Sequence, residues 1–457
     1  MEEHLKKDLI IITISCLASL LQAYFGNITP IALPAMAKTF GLSNILQNWV
    51  TNIFLLTMGI CAVPFSKLTG KYGVKKTFII SLILVLIGTI GTAISNSISL
   101  LFLSRIIQGI GGAGLCVNSM VIITDAISQE NRGKAFGINL ACVYIGIAMA
   151  PVLGGIITYN FGWNICFWSM VPVIIANLIL LFFIKEENVK AAEDTFDWKG
   201  SIIFALAFAS TIYGFSILNT INGIIFAILG LLLFLFFVKL ELKTQYPIFD
   251  INLFKDSSFL WANIACMLSF LATFSVTVLI NYNLQYIRGY NPETTGLIII
   301  ICPVMMAIFA LLSGILSDKW NHQKVSAIGM IIATISLILL IPLNKYTPLY
   351  IIILSLFLQG VGMGIFATPN MNTIMSNVPE QDTPMASSAV ATLRIIGQTG
   401  SMGILTVIFA FFMGNVLIIP SNYPQLIIST QVNMVIVTIF AILTVLTTLI
   451  GYKKSKK

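Results

Sequence analysis

Charge is what this chain has least of. Only 9% of its 457 residues are Asp, Glu, Lys or Arg, while 58% are hydrophobic, more apolar surface than a water-soluble core can absorb. The seventeen acidic residues all fall in termini, loops or the ends of apolar runs, with Asp125 closest to a run's interior. No carboxylate is thus evident where a proton carrier or a site for lipophilic cations normally keeps one. Histidine is nearly missing, with only His4 and His322, which argues against a histidine-based metal site. The seven cysteines lie inside apolar runs at no metal or disulfide spacing and read as small buried residues. No G-x-x-x-x-G-K-S/T segment occurs, so the chain carries no recognisable ATP motor. No nucleophile–base pair or metal constellation appears either, so neither an enzyme nor a cofactor is expected.

What remains is long apolar runs. Fourteen of them read as helices, each long enough to cross roughly 30 Å of hydrocarbon. Six lie at 9–33, 47–66, 77–95, 100–123, 134–158 and 165–184, two at 200–218 and 222–240, and six at 258–281, 295–317, 324–343, 348–370, 387–412 and 430–451. The first is too long for a secretory signal and lacks an A-x-A site, so it reads as a retained span. The net charge of +8 points to topology rather than to nucleic acid. With the N-terminus in the cytoplasm, twenty Lys and Arg fall inside, among them Lys67, Lys71, Lys75 and Lys76. Three fall outside (Lys38, Arg288, Lys345), and Arg105 and Arg394 lie within runs. That asymmetry predicts an even span count with both termini cytoplasmic.

The stretch LSRIIQGIGGAG, from Leu103 to Gly114, sets an arginine and four glycines inside one run. It contains G-x-G-x-x-G, but a dinucleotide fingerprint needs a soluble strand–turn–helix unit, so that reading is rejected. An intramembrane arginine normally faces a bundle interior or a wet cavity, although one near a span's end can snorkel to the headgroups. The segment has a partner about 250 residues on: QGIGGAG (108–114) in the fourth run is echoed by QGVGMG (359–364) in the twelfth, and SKLTGKYGVKK (66–76) by SGILSDKWNHQK (313–324). Two six-run halves with matching features in matching places are how secondary transporters frame a site at the repeat interface.

These motifs resemble those of the major facilitator superfamily, in particular its fourteen-span drug:proton antiporter branch. Ser66–Lys76 resembles the G-x-L-a-D-r-x-G-r-k loop, with Lys71, Gly73 and Lys75 at its r, G and k places and Lys67 at its first variable one. Leu103–Ala113 resembles the fourth-span R-x-x-q-G motif. GIAMAPVLGG, from Gly146 to Gly155, resembles the fifth-span antiporter motif, with Gly146, Pro151, Gly154 and Gly155 in place. FDWKG (196–200), YIRGYNP (286–292) and TPN (368–370) have family counterparts too. The chain also departs from the pattern. The loop acid is Gly70, retained in the second half as Asp318; Ala150 replaces the glycine before Pro151; and Phe25 stands near where a first-span acid is common.

The resemblance implies an all-α polytopic membrane protein of the major facilitator fold. Two pseudo-symmetric six-helix bundles, 1–190 and 246–457, would flank two accessory helices at 191–245, giving fourteen spans. It implies a secondary transporter of the cell membrane, acting as a monomer, that expels amphipathic organic compounds by alternating access, with protons as coupling ion. An exporter of anionic or neutral metabolites is the alternative that two arginines and no membrane carboxylate favour; a non-transporting receptor or scaffold is a further one. Polar residues placed along the pathway are Gln22, Asn27, Arg105, Gln108, Asn118, Asn263, Asn281, Arg394 and Gln398, each of which also suits helix–helix contacts. Tyr24, Trp49 and Tyr144 suit either a pocket wall or interfacial packing. Pro151 bends the fifth run and its glycines pack it closely. In the family this span seals the extracellular side; Lys67, Lys71, Lys75 and Lys76 suit either a cytoplasmic latch, against acids of the other half or helix C-termini, or topology alone.

Overall fold

In lipid every backbone polar group must be satisfied within its own segment, so long apolar runs fold as helices. The computed structural model describes residues 2–127, 129–184, 197–218, 220–244, 251–376, 378 and 383–454, and among them regular structure is wholly helical. The first set comprises α1 (Glu2–Phe40), α2 (Asn44–Tyr72), α3 (Val74–Ala93), α4 (Ile98–Ala126), α5 (Gln129–Phe161), α6 (Trp163–Trp168) and α7 (Val171–Phe182). A hairpin of α8 (Trp198–Ser216) and α9 (Ile221–Glu241) follows. The second set comprises α10 (Ser257–Tyr282), α11 (Pro292–Ile299), α12 (Ile301–Lys319), α13 (His322–Leu340), α14 (Leu349–Ser376), α15 (Thr383–Phe412) and α16 (Tyr423–Lys454).

Side chains that accept from freed amides start many of these helices. Ser43 caps Leu46, Ser97 caps Leu100, Asp256 caps Phe259 and Asn291 caps Thr294. The sixth run divides into α6 and α7 and the tenth into α11 and α12, breaks that hydropathy alone does not reveal. Thirteen helical segments among the described residues are long and apolar enough to cross a membrane. Of the fourteen runs expected, α8 is the one not among these thirteen; its described apolar stretch is Lys199–Gly214, within a helix of 19 residues.

Glycines set the packing in both sets in the same way. A Cβ on Gly109 would strike the α2 backbone at Phe54, and one on Gly111 would strike α3 at Ser81 and Val85. In the second set Gly360 lies on α12 at Cys302 and Gly362 on α13 at Gly329 and Ala333. Each of α4 and α14 is therefore the hub that two neighbours approach closely, as small residues allow in lipid. The matching positions lie 251 apart (360 − 109, 362 − 111), so the sequence repeat is a repeat of contacts. The sets meet along two seams, α2 against α15 and α5 against α11. The α8–α9 hairpin leans on the first seam, with Phe208 beside Gly59.

Candidate functional site

Cross-set hydrogen bonds among the described residues concentrate at the far end, opposite the lysine-rich α2–α3 turn. Asn281 donates to the carbonyl of Pro30 at 2.7 Å, and Gln285 to that of Ile31 at 3.1 Å. Tyr286 donates to Gln47 at 2.9 Å and Tyr282 to Asn48 at 3.2 Å. Asn44 takes the start of α2 to the end of α15, bonding Gly414 and Val416. These donors surround a π-helical turn at Asn283–Ile287, which continues α10. Arg288 secures that turn to the second set by bonding Asn283 and the carbonyls of Asn344 and Thr347.

The fifth-helix glycines lie beside this fastening. Gly146 rests on the α1 backbone at Leu20, and Gly154 abuts Ile28. Gly155 crosses to the other set, where an added Cβ would meet the carbonyl of Pro292. Gly296 reciprocates against the carbonyl of Pro151. No side chain fits at either glycine without moving a backbone.

Of the nine pathway candidates, Gln22, Asn27, Arg394 and Gln398 are half-buried, and the other five are buried. Arg105 is wholly enclosed in the first set. Its Nε donates to the Val50 carbonyl at 3.2 Å and its Nη1 to Gln108 Oε1 at 2.5 Å, while Gln108 donates to Thr89 at 2.9 Å. The rings of Phe54 and Phe167 lie 4.5 and 5.9 Å from the guanidinium carbon, a favourable arrangement for a cation. Phe25, near the expected acid, stacks on Phe167. Aromatic faces thus surround this charge, and Nη2 has no hydrogen-bond partner.

Three other buried candidates make local or inter-helix bonds. Asn118 accepts from Thr69 at 2.8 Å and Thr77 at 3.2 Å, fastening α4 to α2 and α3. Asn263 donates within its own helix to Phe259. Asn281 belongs to the far-end fastening. Of the half-buried candidates, Asn27 donates to its own helix at Ala23, and Gln22 lies 3.7 Å from the Met58 sulfur. Tyr24 is buried and donates to the Cys166 carbonyl.

Arg394 is placed differently from Arg105. It projects from α15 towards the first set, where its Nη2 lies 3.7 Å from the Cys116 sulfur on α4. Tyr144 of α5 and Cys266 of α10 lie within electrostatic reach of the same guanidinium. Gln398 follows one turn later on the same face. Arg394 is therefore a half-buried cation between the sets whose described hydrogen bond goes to a weak sulfur acceptor.

At the basic end, Gly73 adopts φ +89°, which suits glycine alone and turns α2 into α3. Lys75 donates to the Ile184 carbonyl at 2.5 Å, within the first set, and Lys71 lies over the Tyr72 ring. Lys67 is half-buried, and Gly70 faces open space. The side chain of Asp318, on α12, lies outside the described ones. The polar stripe Asn44, Gln47, Asn48, Asn52 escaped the sequence reading, although its helical spacing was there to be found.

Known proteins share this architecture. The family model described as Major Facilitator Superfamily matches the chain twice, over residues 15–201 and 199–402. The chain belongs to the major facilitator superfamily. Riboflavin transporter RibZ of Clostridioides difficile (strain 630) is 29% identical over 85% of this chain and 86% of its own. Multidrug resistance protein Stp of Mycobacterium tuberculosis (strain CDC 1551 / Oshkosh) is 27% identical over 84% of this chain and 73% of its own. Among solved structures, a bacterial homolog of the human lysosomal transporter Spinster superposes with a TM-score of 0.70 at 16% identity, covering 98% of this chain and 97% of that one. The D-xylose-proton symporter superposes at 0.63 and 14% identity, covering 94% and 97%. Both likenesses are of fold.

Proposed function

We propose that the chain is a fourteen-span exporter of amphipathic organic compounds in the cell membrane, working as a monomer by alternating access between 1–190 and 246–457, with 191–245 as an accessory hairpin. In this reading both termini are cytoplasmic, so the fastened far end is extracellular and the conformation faces inward. The pairing of a riboflavin transporter and a multidrug resistance protein among the relatives supports an organic substrate of moderate size. Proton antiport is carried over from the family.

The observation that carries the reading is Arg394, half-buried between the sets with a thiol as its hydrogen-bond partner. A cation so placed favours substrates that bring an anionic or electron-rich group and opposes permanent cations. At 6 Å and an effective dielectric of about 20, one unit pair is worth roughly 3 kcal/mol, about two powers of ten in affinity. This favours anionic and neutral compounds within the exporter reading. Counterflow in proteoliposomes against matched anionic, neutral and cationic compounds tests it. Preference for the cationic member would reject the assignment of Arg394, and absence of counterflow with any class would reject transport.

A further inference from the structure

The α2–α15 seam contains a layer of polar groups that the far-end fastening leaves behind. Asn48, Asn52, Leu55 and Gly59 recur at helical spacing and share one face of α2. Asn48 at one end of this stripe accepts from Tyr282, and Gly59 at the other abuts Ile395 of α15. Asn52 is bracketed between them and faces the second set. On α15, Ile395, Thr399, Met402 and Phe409 share the answering face. Ile395 sets this face against Gly59, and Thr399 follows it one turn later on the same face. The helices run antiparallel, which brings Asn52 towards Met402 and Leu405, both fully buried and apolar.

Asn52 is 0% exposed, yet neither its Oδ1 nor its Nδ2 has a hydrogen-bond partner. Thr399 is also 0% exposed, and its hydroxyl is unpartnered. The Nδ2 of Asn48 and the hydroxyl of Thr51 are in the same condition. Helical threonines commonly satisfy themselves on the carbonyl four residues back, as Thr406 does on Met402; Thr399 forgoes even that. Dry, unpaired amides and hydroxyls are costly compared with the same groups in water. The seam therefore joins two opposed layers: satisfied bonds at the far end, and dehydrated groups immediately beneath.

We infer that Asn52 and Thr399 form a built-in opening bias, a layer whose hydration is withheld while the far end is closed and regained when α2 and α15 part. The fastening of Asn281, Gln285 and Tyr286 opposes it, and the balance holds the two conformations close in free energy, as an alternating carrier requires. The inference rests on alternation between the sets, as proposed above, but its test reads conformation rather than transport.

The full chain, with its native cysteines replaced, is spin-labelled at Lys38→Cys and Lys345→Cys, exposed positions at the far end of each set. It is reconstituted in lipid nanodiscs, and the populations of short and long label distances are measured. Asn52→Leu fills the same space without orphan atoms and should raise the closed-to-open ratio at least tenfold. Thr399→Val should shift it the same way by a smaller factor. Asn281→Leu, which removes a satisfied bond, should shift it the other way. An unchanged or more open population in both Asn52→Leu and Thr399→Val would overturn the inference. Because all three substitutions are to apolar residues in a lipid-embedded core, opposite signs separate the proposed bias from a general loss of folding.

Discussion

Asn281 on α10 donates to the one carbonyl of α1 that Pro34 deprives of its helical partner. The amide of residue 34 would ordinarily bond the carbonyl of Pro30; proline has no such hydrogen, and Asn281 Nδ2 fills the vacancy at 2.7 Å from the opposite set. A helix defect in one half is thereby the docking point of the other. Gln285 reinforces it by donating both to Asn281 Oδ1 at 2.7 Å and to the neighbouring Ile31 carbonyl.

Restoring the hydrogen should therefore weaken the fastening. Pro34→Ala supplies an amide that competes with Asn281 for the Pro30 carbonyl, while improving α1 as a helix. The far end should open more often, and a cysteine placed at Asn48 should react faster with a membrane-impermeant reagent by roughly three- to tenfold, the scale of a single hydrogen bond. An unaltered labelling rate would show that the carbonyl has no such role.

Gly155 and Gly296 should behave as one unit. A valine at either drives a side chain into the backbone of the other set, at Pro292 or Pro151. Each single variant should separate α5 from α11 and admit reagent or solute from the far end. The double variant should cost much less than the sum of the two, since both destroy the same contact. Gly70→Ala, which faces open space, should leave that seam unchanged. Strict additivity in a leak assay on proteoliposomes would argue against a shared contact.

Arg394→Gln should relax charge selection. Removing the guanidinium removes roughly 3 kcal/mol of like-charge repulsion at 6 Å. Cationic compounds should gain up to about a hundredfold in affinity, and anionic ones should lose a comparable amount. Isothermal titration of the purified protein with a matched pair reads both directions at once, and parallel loss of both ligands would mark Arg394 as structural.

Arg105 should be intolerant of lysine. Its guanidinium reaches the Val50 carbonyl and Gln108 Oε1 with different nitrogens while lying against Phe54, and an ammonium cannot reproduce that planar fork. Arg105→Lys and Arg105→Ala should both destabilise the first set by about 2–4 kcal/mol, within the usual range for breaking a buried network. Thermal unfolding in detergent would show the two variants falling together; full recovery in the lysine variant would mean that charge alone suffices.

Topology has its own test. Cysteines at Lys345 and Lys453, with a membrane-impermeant reagent applied to intact cells, should give labelling of the first only. Equal labelling would contradict cytoplasmic termini.

Much of the architecture is written in patterns that hydropathy can carry. Apolar runs become helices because lipid leaves the backbone no alternative, and the glycines of 108–114 and 359–364 mark close approaches wherever they occur. The break between α6 and α7 is not legible in hydropathy; it is marked instead by Pro172, at the start of α7, whose nitrogen has no hydrogen to give the preceding turn. The two arginines show the same limit at the site. Both are single cations in apolar runs, and nothing local tells that Phe54, Phe167 and Val50 will close over Arg105 while Arg394 emerges between the sets. Asn44, Asn48 and Asn52 were the reverse case, a four-residue recurrence in plain view. Its meaning depended on what α10 and α15 would bring against it.

The enclosure of Arg105 also governs how the protein can be made. On its own in a bilayer, α4 would carry an arginine penalised by about 2.5–3.5 kcal/mol even on insertion scales. The groups that relieve it come from α4 itself and from both directions in the chain: Gln108 lies one turn on, Val50 and Phe54 are synthesised before it, and Phe167 after. Most of that relief is in place once α2 and α4 have met, and the ring of Phe167 on α6 completes the enclosure.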